Sequence, residues 1–495
     1  GVRLVSACVL AAFLAASLVM LGPRFFFQQG MRQLNMDSPV QAAFFFEQAR
    51  AAMPAFLGRS WLTAADRFRL DTYYGMALYQ SGMAAWHQNG LTPDIHALFF
   101  RSRDHLGRAA AAEPRNYLTA YWQARTEHAL ERIHPWLFPG KPNLFNADDL
   151  YLHAAALRPA GITVRQAHAR YLSQTGRQDR LPDLLSNLLA IYPPLYETLK
   201  KEPYYTPDLL PYMARGLESA LRNQVLPRHA LLRLSRLYLD QNNLPGAIDT
   251  YEAFLAHDPG SNTSDDFFYL GTLCVQDGRY EKSHDAFVQS LAAAADREAL
   301  LNRIYQHFRS QKHSTRFLSF MQHLEGTALA VPGQDMALAR CYLDMDQLFL
   351  AKQTLTRIME TRPTGPASYL LAVIAGKEKD WGAMEAFSHQ ATRLEPGNAG
   401  HHFLFAQALN HRKKYANAED AVTRAIRHAP RENSGYYSFR AWTRWHQEKY
   451  KEAAADWEKA AALNPENPDF AERARQARER ISLSPVTGSQ ENRLK

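Results

Sequence analysis

Four regularly spaced prolines near the carboxyl end constrain the fold of this chain more than any other feature. They follow one another at intervals of 33, 34 and 35 residues: Pro363, Pro396, Pro430 and Pro465. Each closes a segment in which a small residue is followed four positions later by a larger apolar one, as in Ala453 and Trp457. A sequence period near 34 predicts an α-solenoid, a stack of helical hairpins.

Composition and charge exclude several classes of function. Of 495 residues, 46% are hydrophobic and 21% charged, which is typical of a folded protein. The net charge of +8 is scattered without a Lys/Arg block, so we expect no nucleic-acid partner. The three cysteines, Cys8, Cys274 and Cys341, are too far apart in sequence to indicate a zinc site or a disulfide framework.

An uncharged segment near the amino terminus predicts a membrane anchor. Residues 4–22 carry no charge over 19 positions, and Arg3 and Arg24 flank them. A helix of this length reaches about 28 Å, close to the bilayer's hydrocarbon core of about 30 Å. We expect one membrane-spanning helix within 1–24, with a cleavable signal peptide as the alternative.

The remainder of the chain has helical periodicity. The looser part contains candidate helices at Val40–Ala52, Phe68–Gln80, Ile95–Ala112, Tyr117–Ile133, Ala147–Leu157, Val164–Gln174 and Asp208–Asn223. Residues 134–146 carry three prolines and are predicted to form a loop.

The later segments resemble the tetratricopeptide repeat family. The resemblance is carried by small and aromatic residues at set positions, such as Ala247, Tyr251 and Pro259. Copies occupy 228–261, 264–297, 332–364, 365–398, 399–432 and 434–467, and 298–331 is a degenerate copy that keeps the hydrophobic spacing only. The resemblance implies an all-α fold, a tetratricopeptide-type α-solenoid whose hairpins form a right-handed superhelix.

These observations divide the chain into five predicted parts. They are an anchor at 1–24, an irregular helical region with divergent repeats at 25–161, a repeat solenoid at 162–467, a charged capping helix at 468–482 and a disordered tail at 483–495. A polar closing helix is what the last open face of a solenoid requires.

The resemblance also predicts where partners bind. In this family the first helix of each hairpin lines a concave groove. Its outward positions in this sequence are Arg340, Tyr369, Lys377, Phe403, Gln407, Asn410, His411, Trp442, Trp445 and His446. Two tryptophans three positions apart share a helix face and would be favoured anchors for a partner. Some family members grip a carboxy-terminal carboxylate with Lys and Asn side chains, but that arrangement is not reproduced here.

The chain contains none of the common catalytic motifs, so we expect neither an enzyme nor a cofactor or metal site. The first hypothesis is a membrane-anchored scaffold that binds protein partners in a bacterial envelope assembly. The alternatives are the repeat tail of a polytopic glycan polymerase or ligase, and an accessory subunit of a large membrane complex. For the scaffold we expect the bacterial inner membrane, with a periplasmic solenoid. The flanking arginines favour the cytoplasmic side as the alternative.

Overall fold

The structure, a computed structural model, describes residues 22–52, 64–327 and 329–483. In these ranges every regular element is helical. Two compact units divide the chain, a first unit Gly1–Pro259 and a second unit Gly260–Lys495. The expected all-α fold is confirmed.

The first unit contains twelve α-helices among its described residues. They are α1 (22–35), α2 (Pro39–Ala51), α3 (Ala64–Asn89), α4 (Pro93–Ala112), α5 (Tyr117–Leu137), α6 (Asp148–Leu157), α7 (Ile162–Gln174), α8 (Leu181–Ile191), α9 (Tyr196–Leu199), α10 (Leu210–Arg222), α11 (Pro227–Asp240) and α12 (Leu244–His257).

Three of these helices correct the sequence prediction. Helix α3 is much longer than predicted, α8 was not predicted, and α5 continues to Leu137, into the first four residues of the segment 134–146 expected to be a loop. Pro135 lies inside α5 and has no N–H for the carbonyl of Glu131, four residues earlier. The side-chain amide of Asn143 donates to that carbonyl at 2.8 Å. The hydrogen bond lost to proline is thus replaced from the following loop.

The second unit is a series of helical hairpins. Its helices are α13 (Ser264–Gln276), α14 (Tyr280–Ala293), α15 (Arg297–Ser310), α16 (Ser314–Glu325), α17 (Gln334–Asp344), α18 (Leu348–Thr361), α19 (Gly365–Lys377), α20 (Trp381–Leu394), α21 (Ala399–His411), α22 (Tyr415–His428), α23 (Ser434–Trp445), α24 (Tyr450–Leu463) and α25 (Pro468–Leu483). Each predicted copy from 264 onward holds one helix pair, which is the arrangement of tetratricopeptide repeats. The degenerate copy is also a complete hairpin, and buried Phe308, Phe317 and Phe320 fill its core.

The turn inside each of these hairpins is built in the same way. A residue two or three positions after the end of the first helix has a left-handed backbone, at intervals of 33–35 residues: Gly278, Lys312, Asp346, Lys379, Lys413 and Glu448. In one turn the Lys413 N–H donates to the Asn410 carbonyl, and the Lys414 N–H to the Leu409 carbonyl, both at 2.9 Å. This pair of bonds is a Schellman motif, which satisfies carbonyls at the end of the first helix and reverses the chain.

Small residues set the distance between neighbouring helices. A Cβ at Gly271 of α13 would lie 2.5 Å from the ring of Phe287 on α14, so only glycine permits this approach. At the end of the second unit, Ala474 and Ala477 of α25 are buried with Trp457 of α24. The charged closing helix therefore covers the last hairpin with a narrow apolar stripe.

The predicted anchor, residues 4–22, lies outside the described residues except for Gly22. The helix described from Gly22 onward, α1, belongs to the core of the first unit, where the rings of Phe27 and Phe46 lie 5.7 Å apart. Among the described helices, none combines the length and the apolar character needed to cross a bilayer.

Candidate functional site

The ten predicted binding residues lie on or directly after the first helices α17, α19, α21 and α23. Aromatic side chains touch from one of these helices to the next. Tyr369 of α19 and His401 of α21 have ring centroids 5.3 Å apart, and Phe403 of α21 lies 4.7 Å from Tyr436 and 5.2 Å from Phe439, both on α23. We call the surface formed by these four helices the first-helix face.

Two cationic side chains on this face are held by the preceding hairpin. The Arg340 guanidinium donates to the side-chain oxygen of Asn302 at 2.9 Å. The Lys377 ammonium lies 2.7 Å from a carboxylate oxygen of Asp346, and both groups are well exposed. Each cation is therefore oriented, and Lys377 stays accessible to a partner's carboxylate, whereas Arg340 is half-buried.

The polar residues of α21 differ in their exposure, although the prediction placed all of them at outward positions. Gln407 and Asn410 are half-buried, and the Asn410 side-chain oxygen is buried without a hydrogen-bond partner among the described residues. His411 is exposed and stacks on the ring of Trp381, with centroids 3.9 Å apart. This imidazole therefore packs against α20, the second helix of the preceding hairpin.

The structure separates the two predicted tryptophan anchors. Trp442 is 38% exposed and is covered on one side by the guanidinium of Arg473, 5.3 Å from the ring centroid. Trp445 instead packs on Trp457 and Tyr450, at 5.7 and 5.0 Å. Trp445 is only half exposed, because α24 occupies the space beside it, so the two tryptophans are not equally accessible. Their role as anchors for a partner stays a prediction.

The remaining predicted residue, His446, is exposed beside Trp442. Its ring stacks on Tyr415 at 4.8 Å and meets the Trp442 ring edge-on at 4.7 Å. The three rings form a small aromatic cluster at the end of the first-helix face.

An ionic network between α22, α23 and α24 was not predicted. The buried carboxylate of Asp456 accepts two hydrogen bonds from Arg440, at 2.7 and 2.8 Å, and one from Arg444 at 2.8 Å. Glu419 accepts from Arg444 and Lys449, each at 2.8 Å. Burial alone would raise the pKa of Glu419, but these cationic donors outweigh it and hold the pKa below its ordinary value. The sequence signal was an aspartate among the small residues of α24.

A cavity in the first unit was also missed. It has a volume of about 160 Å³ and lies between α3, α5 and α7, with a wall from α6. Its lining is Tyr79, Met83, Trp86, Arg125, His128, Ala129, Arg132, Tyr151, Ala167, Arg170 and Gln174. We call it the arginine cavity. Its signal in the sequence was weak, because the lining residues come from four helices.

Hydrogen bonds fix the polar side chains of the arginine cavity. Arg125 donates to the phenol oxygens of Tyr79 and Tyr121, both at 3.0 Å. His128 Nε2 lies 3.1 Å from Gln174 Oε1, and His128 Nδ1 lies 3.2 Å from the Tyr151 hydroxyl. Since Oε1 can only accept, Nε2 carries the proton and the Tyr151 hydroxyl donates to Nδ1.

Burial keeps the non-arginine groups of this cavity neutral. Burial, together with the charges of Arg132 and Arg125, lowers the pKa of His128 to about 3. Burial also raises the pKa of both Tyr79 and Tyr151, so these phenols stay protonated at neutral pH. The charge of the lining thus comes from its arginines. In the described part of the chain, no three His, Cys, Asp or Glu side chains are grouped to hold a metal ion.

Comparisons with known proteins give structural similarity only. No family model matches the sequence, and no curated protein matches it. The crystal structure of yeast Tom70 is similar with a TM-score of 0.35 at 10% identity, covering 94% of this chain and 97% of that one. The crystal structure of the APC/C Cut9-Hcn1 hetero-tetramer has a TM-score of 0.34 at 12% identity, covering 92% of this chain and 96% of that one. A tetratricopeptide repeat protein from Parabacteroides merdae has a TM-score of 0.31 at 16% identity, covering 51% of this chain and 98% of that one. At such TM-scores the description of the repeats rests on the geometry of the hairpins themselves.

Proposed function

We propose that the protein is a non-catalytic scaffold, anchored in a membrane by residues 4–22, that binds protein partners along the first-helix face. The observation that carries the proposal is the run of aromatic side chains across successive first helices, which ends at the exposed ring of Trp442. Arrays of helical repeats bind through such extended surfaces, and tryptophan is a favoured anchor residue.

The chemistry of the face suggests the kind of segment that it binds. Aromatic rings at Tyr369 and Phe403 favour apolar side chains in the partner. The half-buried cation of Arg340 and the exposed cation of Lys377 favour carboxylates, and both already have internal partners. Such charges contribute more to orientation and association rate than to affinity. The proposed partner segment is therefore apolar with flanking acidic residues.

Replacing Trp442 with alanine should weaken partner capture by at least about tenfold, because the ring supplies exposed aromatic area at the end of the face. The partners are first identified by crosslinking in native membranes, and their binding is then measured with purified proteins. The matched control is Trp136→Ala in the first unit, since Trp136 is 78% exposed and lies off the face. Equal effects of the two variants on binding, or a collapse of the Trp442→Ala melting temperature, would contradict the proposed role.

The membrane placement has a separate test. We propose the bacterial inner membrane with the helical array on the periplasmic side, and the uncharged run at 4–22 supports the anchor. A chain that starts at Arg24 should appear in the soluble fraction after lysis and remain helical, because it keeps the contact between Phe27 and Phe46. The full chain should sediment with membranes. Alkaline phosphatase fused after Lys495 should be active in the periplasm. A truncated chain that still sediments with membranes would refute the anchor.

A further inference from the structure

We infer that the arginine cavity binds a small organic anion, a carboxylate or phosphate group carried on a planar apolar body. This site belongs to the first unit, whereas the proposed partner-binding face belongs to the second. The inference stands on charge, shape and hydrogen-bonding capacity of the cavity, and it does not depend on the proposed scaffold function.

Two of the three arginines that line the cavity, Arg125 and Arg132, are not balanced by a carboxylate among the described residues. Within the described ranges neither Arg125 nor Arg132 forms an ion pair: Arg125 donates to phenols, and Arg132 lies 5.2 Å from the centroid of the Trp86 ring. The neighbouring carboxylates are engaged by other arginines, Glu127 by Arg103, Glu131 by Arg177, Asp148 by Arg180 and Glu202 by Arg170.

An unbalanced guanidinium at this position favours the binding of an anion. Arg125 is half-buried, and the rings of Tyr79, Tyr121 and Trp122 surround its guanidinium within 5.8 Å. Taking a charge out of water without an opposite charge is costly. The phenol hydrogen bonds and the ring faces compensate in part. An anion beside Arg125 and Arg132 would complete the compensation.

The size and walls of the cavity define the body that carries this anion. A volume of about 160 Å³ is close to that of an engineered apolar cavity, about 150 Å³, that admits benzene. Tyr79, Trp86 and Tyr151 provide aromatic walls, and Met83 adds a flexible apolar one. The space therefore suits a single planar ring or a body of similar size.

The donors of the cavity match the oxygens of such an anion. A guanidinium presents paired N–H groups that fit carboxylate and phosphate oxygens alike. Arg170 adds a third guanidinium at the edge, where it is already held by Glu202 at 2.6 Å. The side-chain oxygen of Gln174 binds His128, which leaves the amide nitrogen of Gln174 able to donate to an oxygen of the anion. Since His128 and the phenols stay neutral, binding should need no protonation step near neutral pH.

Titration calorimetry on the full chain with three probes tests the inference. Benzoate and phenyl phosphate carry the two candidate anionic groups on one ring, and benzamide is a neutral analogue of benzoate. We expect at least one anion to bind about tenfold or more tightly than benzamide, in line with charged hydrogen bonds. The tighter of the two anions identifies the group. Equal binding of benzamide, or no heat from either anion up to about 10 mM, would overturn the inference.

Substitutions then locate the bound anion. Arg125→Met should weaken binding of the tighter of the two anions at least about tenfold. Arg132 is more exposed, so Arg132→Gln should weaken this binding about threefold or more. Arg215→Gln is the matched control, because Arg215 also lies over a tyrosine ring, 4.4 Å from Tyr212, but lines no part of this cavity. If Arg125→Met fails to fold, Arg132→Gln alone decides the question. Equal affinities of Arg132→Gln and Arg215→Gln for the anion would show that the anion binds elsewhere.

Discussion

Replacing Gly216 with alanine is expected to lower the free energy of unfolding by about 2–3 kcal/mol. Gly216 lies on α10, where a Cβ would come within 2.3 Å of the Ser186 carbonyl oxygen and 3.0 Å of the Leu189 Cβ on α8. The first obstacle is backbone, which cannot rotate away as a side chain can. The two helices must therefore separate, and the buried contacts between them weaken.

A second glycine in the first unit provides the control for this experiment. Gly107 lies inside α4, and a Cβ there would meet no atom within 4 Å. Gly107→Ala should raise the free energy of unfolding by about 0.5–1 kcal/mol, since alanine is the better helix former. Urea unfolding followed by circular dichroism measures both variants. Shifts of the same sign would show that the spacing of α8 and α10 does not determine the result.

Replacing Asp456 with alanine is expected to cost about 3 kcal/mol or more of stability. This residue is only 5% exposed, and its carboxylate receives three hydrogen bonds from Arg440 and Arg444. Removing it leaves Arg440 without the carboxylate that held it and Arg444 with Glu419 alone, both on the helix that carries Trp442. Partner binding should therefore fall together with the melting temperature.

The control for the buried network is an exposed ion pair of the same unit. Asp335 pairs with Arg357 at the surface, where both side chains are about half exposed. Asp335→Ala should change the free energy of unfolding by less than about 1 kcal/mol. Thermal unfolding at pH 7 compares the two variants, and similar losses for both would mean that burial adds nothing to the Asp456 interactions.

The hairpins of the second unit could be predicted because their signal is local. A small residue such as Ala453, four positions before the large Trp457, marks the buried face of a helix and sets the distance to the neighbouring helix. The proline period marks the ends of second helices, and proline disfavours helix in any context. Helix α8 was missed because prolines flank it on both sides, although Pro182 occupies the first turn, where proline is accepted.

The candidate sites depended on contacts that no local pattern contains. Trp442 and Trp445 have similar spacing signals, and only the position of α24 decides which of them is covered. The arginine cavity brings Tyr79 and Gln174 into one lining from helices far apart in sequence. The left-handed turns were equally hidden, since lysine at Lys413 rarely adopts a positive φ and does not indicate one.

These turns have a consequence for how the second unit forms during synthesis. Each chain reversal is closed by backbone hydrogen bonds between residues three and five positions apart, as at Lys413 and Lys414. No distant segment has to arrive before a hairpin can close, and low contact order favours rapid folding. A ribosome adds about 5–20 residues per second, so successive hairpins are completed seconds apart. The second unit can therefore grow one hairpin at a time, each on the surface left by the one before.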